Sequence, residues 1–600
     1  MKKKLFSIVL MLLLSLSLFS CNNDKEAISI YLWSNQLIDN GYANFIQSEL
    51  PEVNMEFVVG NNDLDFYQFM KDNNSLPDII TTRRFSLHDA VGIKDQLMDL
   101  SSTEEAGAIY DSYLKDFVND DNTVNWLPLC GEVDGFVANK KLFEANNIPL
   151  PTDYDSFISA CRRFDELGIR GFAADFTYDY TCMEILQGLS ISELNSIEGR
   201  LWRQQYENVN SSNVGLDNKI WPKVFENMEK FIKDANVIAE DISSPFSKNF
   251  NAFLKGEIAI IRAGGANVVA STKTENFEPI FLPYFCQDGE EWLLTYPAFH
   301  VALNKDLSKD SSRKASALKI LKVMLSDSGQ KKLSSGQDII SYSQNANLEL
   351  DSSLNNINNL ISNNHLYIRI ASNDFFSVSK TVVSKMIKGE LNASEAYQEF
   401  DNLLKASKNE ENEIILTLDK EYKNEFTPDG NKSYSFMANS LRNMYKTDVL
   451  LAPFNSFTGL TFIGDYTEKM VGYMIMPNAL DAYKTTLTGS SLKEYIRKYV
   501  EGNAGGCKPF NDNCLPTLSG MELIVKKEKN SYVLVDVLMN GSSIKDEESY
   551  TITSINIAAK MGQFGRLGFV KEKLRVRNAW VEYIKNDGVL VEPNKYISIQ

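Results

Sequence analysis

The chain has 600 residues, 44% of them hydrophobic and 23% charged, with a formal charge of −18. That length exceeds what one hydrophobic core serves and implies about three to five domain-sized units of ordinary globular composition. A surface this acidic, with no Lys/Arg-rich run interleaved with aromatics, argues against nucleic acid as a partner and against a polybasic membrane-binding face.

Lys2-Lys3-Lys4 forms a basic n-region, and Leu5 to Phe19 is apolar apart from Ser7, Ser15 and Ser17. The apolar run is short for a bilayer span of ~20 residues, which favours a cleavable signal over a membrane anchor. Leu18-Phe19-Ser20-Cys21 resembles a bacterial lipobox, in which a small residue precedes a Cys that becomes the acylated N-terminus; Phe19 is the less usual member. The expectation is a signal peptide over 1–20, lipidation at Cys21, and a polar tether over 21–27. The protein would then sit on the extracytoplasmic face of the cell membrane, held by its N-terminal lipid only. Loss of Lys2, Lys3 and Lys4 would take the charge from −18 to −21.

Ile28 to Trp33 reads as a strand, followed by a helix over Gly41–Leu50, a strand over Asn54–Val59, a helix over Asp63–Asp72 and a buried strand at Leu76–Ile80. Alternation of this kind implies a largely parallel sheet with helices on both faces. Trp126 to Val137 is an apolar strand interrupted by Gly131, Glu132, Asp134 and Gly135. A short helix (Lys140–Asn146) and the connector Ile148-Pro149-Leu150-Pro151 follow. Thr152 and Asp155 then have the spacing of a capping box, with Thr152 as N-cap. Phe157, Ile158, Cys161, Phe164 and Leu167 keep helical spacing, and Gly168 supplies the stop. Ser312 to Leu325 is a second clear amphipathic helix, with Ala315, Leu318, Leu321, Val323 and Met324.

Several short motifs occur in one characteristic order. They are Leu76-Pro-Asp-Ile-Ile80 with Leu97-Met-Asp-Leu100, Asn139-Lys140 with Asn147 to Pro151, and FLKGEIAIIRAGGANV at 253–268. Phe281-Leu-Pro-Tyr-Phe285, Ala298 to Asn304, the 312–330 element and Ile387 to Ala396 complete the set. In this order, residues 28–405 resemble the family 1 extracellular solute-binding proteins of ABC importers. The resemblance implies a two-lobed, type II periplasmic-binding-protein-like α/β fold, with the chain crossing between lobes near 126–157. It also implies a helix that turns at Gly256 into a strand, Ile258 to Arg262, leading to the interlobe cleft. Gly264-Gly265 would serve a ligand approach, a hinge bend or a plain turn. One departure is Gln337 to Ser341, where the family has a Pro. The implied function is hinge closure on a small-molecule solute, sugar or oligosaccharide, delivered to ABC permease subunits.

Sugars present apolar ring faces and hydroxyl rims, so aromatic plates with polar neighbours suit them. Candidate ligand-binding residues are Trp33, Asp175, Tyr178, Tyr180, Arg262, Trp292, Tyr296 and Phe299, each of which is also readable as an ordinary core or surface residue. They concentrate in TYPAFH at 295–300 and DFTYDYT at 175–181.

Residues 406–413 are charged, Pro-free and without hydrophobic period, and read as a linker. A helix (Ser433–Tyr445), a strand (Asp448–Ala452), Met476-Pro-Asn-Ala-Leu480, Leu487-Thr-Gly489, Leu518-Ser-Gly-Met521 and Tyr550-Thr-Ile-Thr553 follow. In this order residues 414–600 resemble the C-terminal domain of 5′-nucleotidases, implying an α/β (α+β) domain. The departures bear on function. The loop after Asn455 has no Arg over 456–460, Asn478 and Ile557 stand where the base-stacking Phe residues would be, and Gln563 replaces the Asp. Without ring plates and an Arg clamp, nucleotide binding is not expected. A two-metal phosphatase site needs several His and Asp ligands, and the three histidines, His88, His300 and His365, are far apart in sequence. The expectation is therefore a non-enzymatic protein with no catalytic residue, cofactor or metal. Cys130, Cys161, Cys182 and Cys286 read as buried thiols, whereas Cys507 and Cys514 bracket KPFNDN and read either as a small disulfide or as two thiols. Three alternatives stay open: a surface nucleotidase or nucleotide-binding protein, an adhesion or sensor protein, and a receptor whose cargo is a nucleoside or peptide.

Overall fold

In β1 (Ile28–Leu32) the residues Ile28, Ile30 and Leu32 are buried and alternate with half-buried Ser29 and Tyr31, the period-2 pattern of a strand covered on both faces. The structure is a computed structural model describing residues 27–33, 41–61, 64–83, 86–89, 92–119, 121–207, 215–264, 273–334, 340–346, 352–354, 357–371, 373–410, 413–453, 456–475, 480–501, 515–528, 531–555 and 567–600. Helix α1 (Tyr42–Glu49) shares a core with Ile28, Ile30 and Leu32. After β2 (Met55–Val59), helix α2 (Leu64–Asp72) packs with Tyr31 in a different core. Strands β2 and β3 (Ile79–Thr82) flank β1 in parallel. These elements form lobe 1.

Two long strands leave it. β4 (Leu127–Asn139) and, far downstream, β9 (Glu291–Leu303) run antiparallel to each other through both lobes. At the lobe 1 end β9 pairs with β3, Ile79 opposite Leu303. At the other end β4 pairs with β6 (Ile258–Gly264), Phe136 opposite Arg262, and β6 pairs in parallel with β5 (Arg170–Ala173). The order β2-β1-β3-β9-β4-β6-β5 makes one sheet of both lobes. The sheet is thus mixed rather than largely parallel: parallel pairs are confined to the two lobe interiors, and every pairing made by the crossing strands β4 and β9 along this order is antiparallel. Their register shifts between Pro128 and Cys130 and again between Cys130 and Gly131, the irregularity that lets a strand bend. A side chain at Gly131 would overlap the hydroxyl of Tyr342.

Lobe 2 builds its core from α3 (Lys140–Ala145), α4 (Tyr154–Glu166), α5 (Asp179–Gly188), α6 (Ile197–Tyr206) and α7 (Trp221–Asp234). The cap of α4 lies one residue beyond the expected Thr152. Asp153 is extended, its carboxylate accepts from the Ser156 N–H at 2.8 Å, and the Ser156 hydroxyl accepts from the Asp153 N–H at 3.1 Å. A carboxylate at the positive end of the helix dipole outcompetes the neighbouring hydroxyl. The stop is as expected, with Gly168 at φ +75°. Cys130, Cys161, Cys182 and Cys286 are buried and free; Cys21, Cys507 and Cys514 lie outside the described residues.

After β7 (Pro279–Leu282), β8 (Tyr284–Phe285), α8 (Ser311–Leu325), β10 (Ile340–Ser341) and β11 (Leu366–Ile368), lobe 2 is completed by α9 (Asn373–Ile387) and α10 (Ala393–Glu410). Helix α10 continues through residues 406–410, which were expected to be linker. Buried Leu404 anchors its last turns, Lys405 pairs with Asp401 at 2.6 Å, and the Ser407 hydroxyl donates to the Leu404 carbonyl at 2.9 Å.

The remaining residues form a third unit, domain C. Strand β12 (Ile414–Leu418) is followed by α11 (Lys432–Tyr445), β13 (Val449–Ala452), β14 (Gly464–Thr467), α12 (Glu468–Tyr473), β15 (Ala482–Thr488) and α13 (Gly489–Val500). Then come β16 (Thr517–Ser519), β17 (Glu522–Glu528), β18 (Ser531–Met539), β19 (Ser549–Ile555), α14 (Val576–Lys585) and β20 (Ile597–Ile599). The sheet runs β16-β13-β19-β15, with β17, β18 and β20 in a second sheet. Domain C shares a core with lobe 1: Phe66, Phe69, Met70, Ile80 and Trp126 cluster with Phe436, Leu441, Tyr466, Tyr473 and Trp580.

Replacement of Asp153 by Ala is expected to cost about 1 kcal/mol of lobe 2 stability at neutral pH. The backbone and hydroxyl hydrogen bonds from Ser156 hold this carboxyl below its usual range, against a small opposing effect of burial. Its contribution is therefore present above the unfolded carboxylate pKa and is lost as pH falls through the folded one. Denaturant unfolding of the two forms should diverge at neutral pH and converge in acid.

Candidate functional site

Charged side chains meet where the crossing strands pass between the lobes. β4 supplies Glu132 and Asp134, β6 supplies Arg262 and β9 supplies Tyr296. The segment leading into α5 brings Asp175 and Tyr178, and α5 itself brings Tyr180 and Glu184. Trp33 follows β1, Arg83 follows β3 and Arg369 follows β11.

Arg262 is the centre of the lobe 2 side. Its guanidinium donates to the Asp134 carboxylate at 2.5 Å, pairs with Glu184, and lies 3.9 Å from Asp175. Asp134 also accepts from the Tyr284 hydroxyl at 2.7 Å, and Asp175 from the Thr181 hydroxyl at 3.1 Å. The second oxygen of Glu184 pairs with Arg369. All five charged groups are at most 7% exposed, so each depends on its partners for the solvation it has lost. Burial pushes the Asp134 and Asp175 carboxyls up, opposed by Arg262. For Arg262 burial pulls down, but Asp134 and Asp175 outweigh it and the group is held above its ordinary value.

Toward lobe 1, Arg369 stands 4.4 Å and Arg83 5.3 Å from the Tyr296 ring centre, and Arg83 is also 5.3 Å from that of Trp33. The Tyr296 hydroxyl donates to Glu132 at 3.0 Å, and Arg83 lies 3.7 Å from the same carboxylate. Arg83 further donates to the Pro297 carbonyl at 3.2 Å. Tyr178 and Tyr180 stack at 5.2 Å with 14° between their planes, and Arg262 lies 5.3 Å from the Tyr180 ring centre. Burial, with the charge of Asp175 second, pushes the Tyr180 hydroxyl up to about 12.

Of the eight expected residues, the structure brings Asp175, Tyr178, Tyr180, Arg262, Tyr296 and Trp33 into this one network. It does not bring Trp292 or Phe299 there. Trp292 stacks on His365 at 4.7 Å and donates to the Ser192 hydroxyl at 3.0 Å, within the lobe 2 packing. Phe299 is buried in the lobe 1 core, edge-on to Tyr42 at 6.2 Å. The cause is strand geometry: a strand advances about 3.3 Å per residue, so Trp292 lies about 13 Å along β9 from Tyr296. Gly264 ends β6 opposite Asp134, while Gly265 lies outside the described residues. Arg83, Glu132, Asp134, Glu184, Tyr284 and Arg369 were not among the expected site residues. Glu132 and Asp134 did carry a signal, as carboxylates inside an otherwise apolar strand. Glu184 and Arg369 carry none, because only the tertiary fold joins them.

The lobes also touch beside this network. Glu207, just beyond α6 and paired with Arg203 at 2.8 Å, accepts from the backbone N–H groups of Leu87 at 2.8 Å and His88 at 3.4 Å. A cavity of about 70 Å³ beside it is lined by Leu87 and Asp116 of lobe 1 and by Arg203 and Tyr367 of lobe 2. A larger, open hollow of about 750 Å³ lies on lobe 1 between Lys71, Lys94, Asp121 and Lys314, and includes none of the cleft residues.

Residues 68–355 match the pattern of the family described as bacterial extracellular solute-binding protein. Solved structures share the fold. A family 1 extracellular solute-binding protein from Bifidobacterium longum subsp. infantis is 18% identical with a TM-score of 0.53, over 63% of this chain and 98% of that one. Binding protein msme from Bacillus subtilis subsp. subtilis str. 168, in an open conformation, is 15% identical with a TM-score of 0.51, over 64% and 98%. The apo-form of RafE from Streptococcus pneumoniae is 12% identical with a TM-score of 0.50, over 64% and 98%. A search among curated proteins finds no match.

Replacing Arg262 by Met is expected to destabilise lobe 2 by about 3–5 kcal/mol, because Asp134 and Glu184 would lose a buried partner. A second change, Asp134→Asn, should restore part of the loss. Denaturant unfolding of the single and double variants checks both outcomes.

Proposed function

We propose that the two lobes form a receptor for an uncharged carbohydrate, which hinge closure buries between them for delivery to an ABC permease. The observation that carries this reading is the internally paired charge network at the lobe junction. Arg83, Arg262 and Arg369 face Glu132, Asp134, Asp175 and Glu184, and the charges are paired within the protein. Its half-buried members, Arg83 and Glu132, offer hydrogen bonds to hydroxyl groups without demanding a charged ligand. Half-buried Tyr178 and Trp33 supply ring faces from opposite lobes, suited to the apolar faces of a sugar. Tyr180 and Tyr296 act differently, as braces for Arg262 and for the Arg83–Arg369 pair.

In this reading Cys21 carries the lipid and the receptor works outside the cell without enzymatic activity. Among the described residues no helix is long and apolar enough to cross a membrane. Domain C is read as a relative of the 5′-nucleotidase C-terminal domain that has lost its nucleotide-binding residues.

The test is a thermal-shift screen of residues 22–600 against mono- and oligosaccharides, nucleosides and short peptides. A saturable upward shift with an uncharged sugar is expected, since a ligand that binds only the folded form raises its apparent stability. Tyr178→Ala and Trp33→Ala should each weaken that binding about tenfold, corresponding to about 1.4 kcal/mol. A saturable shift with nucleosides or peptides and none with sugars overturns the carbohydrate reading.

A further inference from the structure

Domain C is attached to the receptor at two places, and these lie on different lobes. The covalent attachment is to lobe 2. Phe400 of α10 packs against Trp221, Phe225 and Phe375 at 6.2, 5.6 and 5.2 Å. Asp401 of the same helix accepts from the Leu216 N–H at 2.8 Å, and Leu404 is buried in the same core. The helix runs on to Glu410, and β12 starts at Ile414, already paired with Thr467 of β14 inside domain C. The four Cα steps from Glu410 to Ile414 reach at most about 14 Å when fully extended.

The second attachment is non-covalent and belongs to lobe 1. Phe66 of α2 meets Tyr473 edge-on at 5.5 Å, and Phe69 meets both Phe462 and Tyr466 at 5.5 Å. Asp65 pairs with Lys469 of α12. Leu64, Leu76 and Tyr31 of lobe 1 pack into the same cluster as Phe462, Met470 and Leu416 of domain C. The chain therefore closes a mechanical circuit: lobe 1, crossing strands, lobe 2, α10, domain C, and lobe 1 again.

We propose that domain C is a strap that limits how far the two lobes part. The inference rests on the receptor reading only in taking the lobes to move about the crossing strands; it needs no ligand. An opening motion that carries the end of α10 away from β12 beyond the reach of residues 411–413 has two outlets. It unwinds the last turn of α10, where each residue released adds about 2 Å, or it separates α12 from α2. Unwinding past Leu404 and separation of α12 from α2 are both resisted by the packing described, so the strap holds the open state closer to the closed one than the crossing strands alone would.

The test measures interlobe distances by spin labels at Asn44→Cys on α1 and Ser159→Cys on α4, both exposed, in residues 22–600 with Cys507 and Cys514 replaced by Ser and no ligand added. The parent is compared with a variant carrying about ten Gly/Ser residues inserted between Glu410 and Ile414, which add a mean reach of about 17 Å. It is also compared with Phe462→Ala/Lys469→Ala, which loosens the lobe 1 contact from the domain C side. The expected result is a broader distribution in both variants, with its long-distance edge several ångström further out and the circular dichroism unchanged. An unchanged distribution in the insertion variant overturns the proposal and makes domain C a passenger on lobe 1. The receptor reading is judged separately, by the ligand screen. A strapped protein that binds no sugar, and a sugar receptor whose distances ignore the insertion, are distinguishable outcomes.

Discussion

The antiparallel pairing of β4 with β9 is the constraint on which the rest of the structure depends. Each of these thirteen-residue strands begins in one lobe and ends in the other, so the lobes are two halves of a single sheet. A sheet tolerates bending across its strands far better than sliding along them, because sliding exchanges the faces of every side chain. Relative motion of the lobes is thereby reduced to a rotation about the irregular stretch from Pro128 to Gly131. The same pairing sets the register that places Glu132 opposite Tyr296, and Asp134 opposite both Leu294 and Gly264. The proposed hinge and the candidate site are thus consequences of one ladder of hydrogen bonds.

The charges at that junction are arranged to be held rather than to be stable. Arg262 with three carboxylates, and Glu184 with two guanidiniums, would be replaceable by apolar groups at little or no loss of folding free energy. What apolar groups would not provide is a set of donors and acceptors fixed in direction before a ligand arrives. A hydroxyl-rich ligand meeting side chains that are already oriented loses less rotamer freedom on binding than one that must order them. Tyr296, with two guanidiniums over its ring and its hydroxyl on Glu132, fixes the lobe 1 side of the network in the same way.

Much of the fold was legible in the sequence because its elements are separated by strong local signals. The strands of lobe 1, the start of β6 after Gly256, α8 and α11 all lie within a few residues of where periodicity or motif placed them. The cap of α4 was misplaced by one residue because Thr152 and Asp153 are both good caps, and only geometry separates them. The end of α10 was misread because residues 406–410 have no apolar period. Their helicity is an extension of turns anchored by Phe400 and Leu404. The grouping of the candidate site was half legible for a similar reason. Aromatic and charged residues cluster visibly in the sequence, but a strand spreads its neighbours apart, which moved Trp292 and Phe299 away. Tertiary contact brought in Glu184 and Arg369 from segments with no local mark.

Domain C changes what the two-lobed fold can do because of where its core lies. A unit appended through a flexible linker would leave the faces of lobe 1 as they are and add only its own surface. Here α2 buries Phe66, Tyr67, Phe69 and Met70 in a cluster completed by domain C, so lobe 1 without it would expose part of an apolar helix face. Lobe 1 and domain C therefore form one folding unit in the energetic sense, although most of lobe 2 separates them in sequence. The chain must finish domain C before that face of lobe 1 is covered, and loop closure over such a distance is slow relative to local pairing. The sequence order lobe 1, lobe 2, domain C is thus not the order in which packing is completed. The short passage from Glu410 to Ile414 is where that spatial order is imposed on the covalent one.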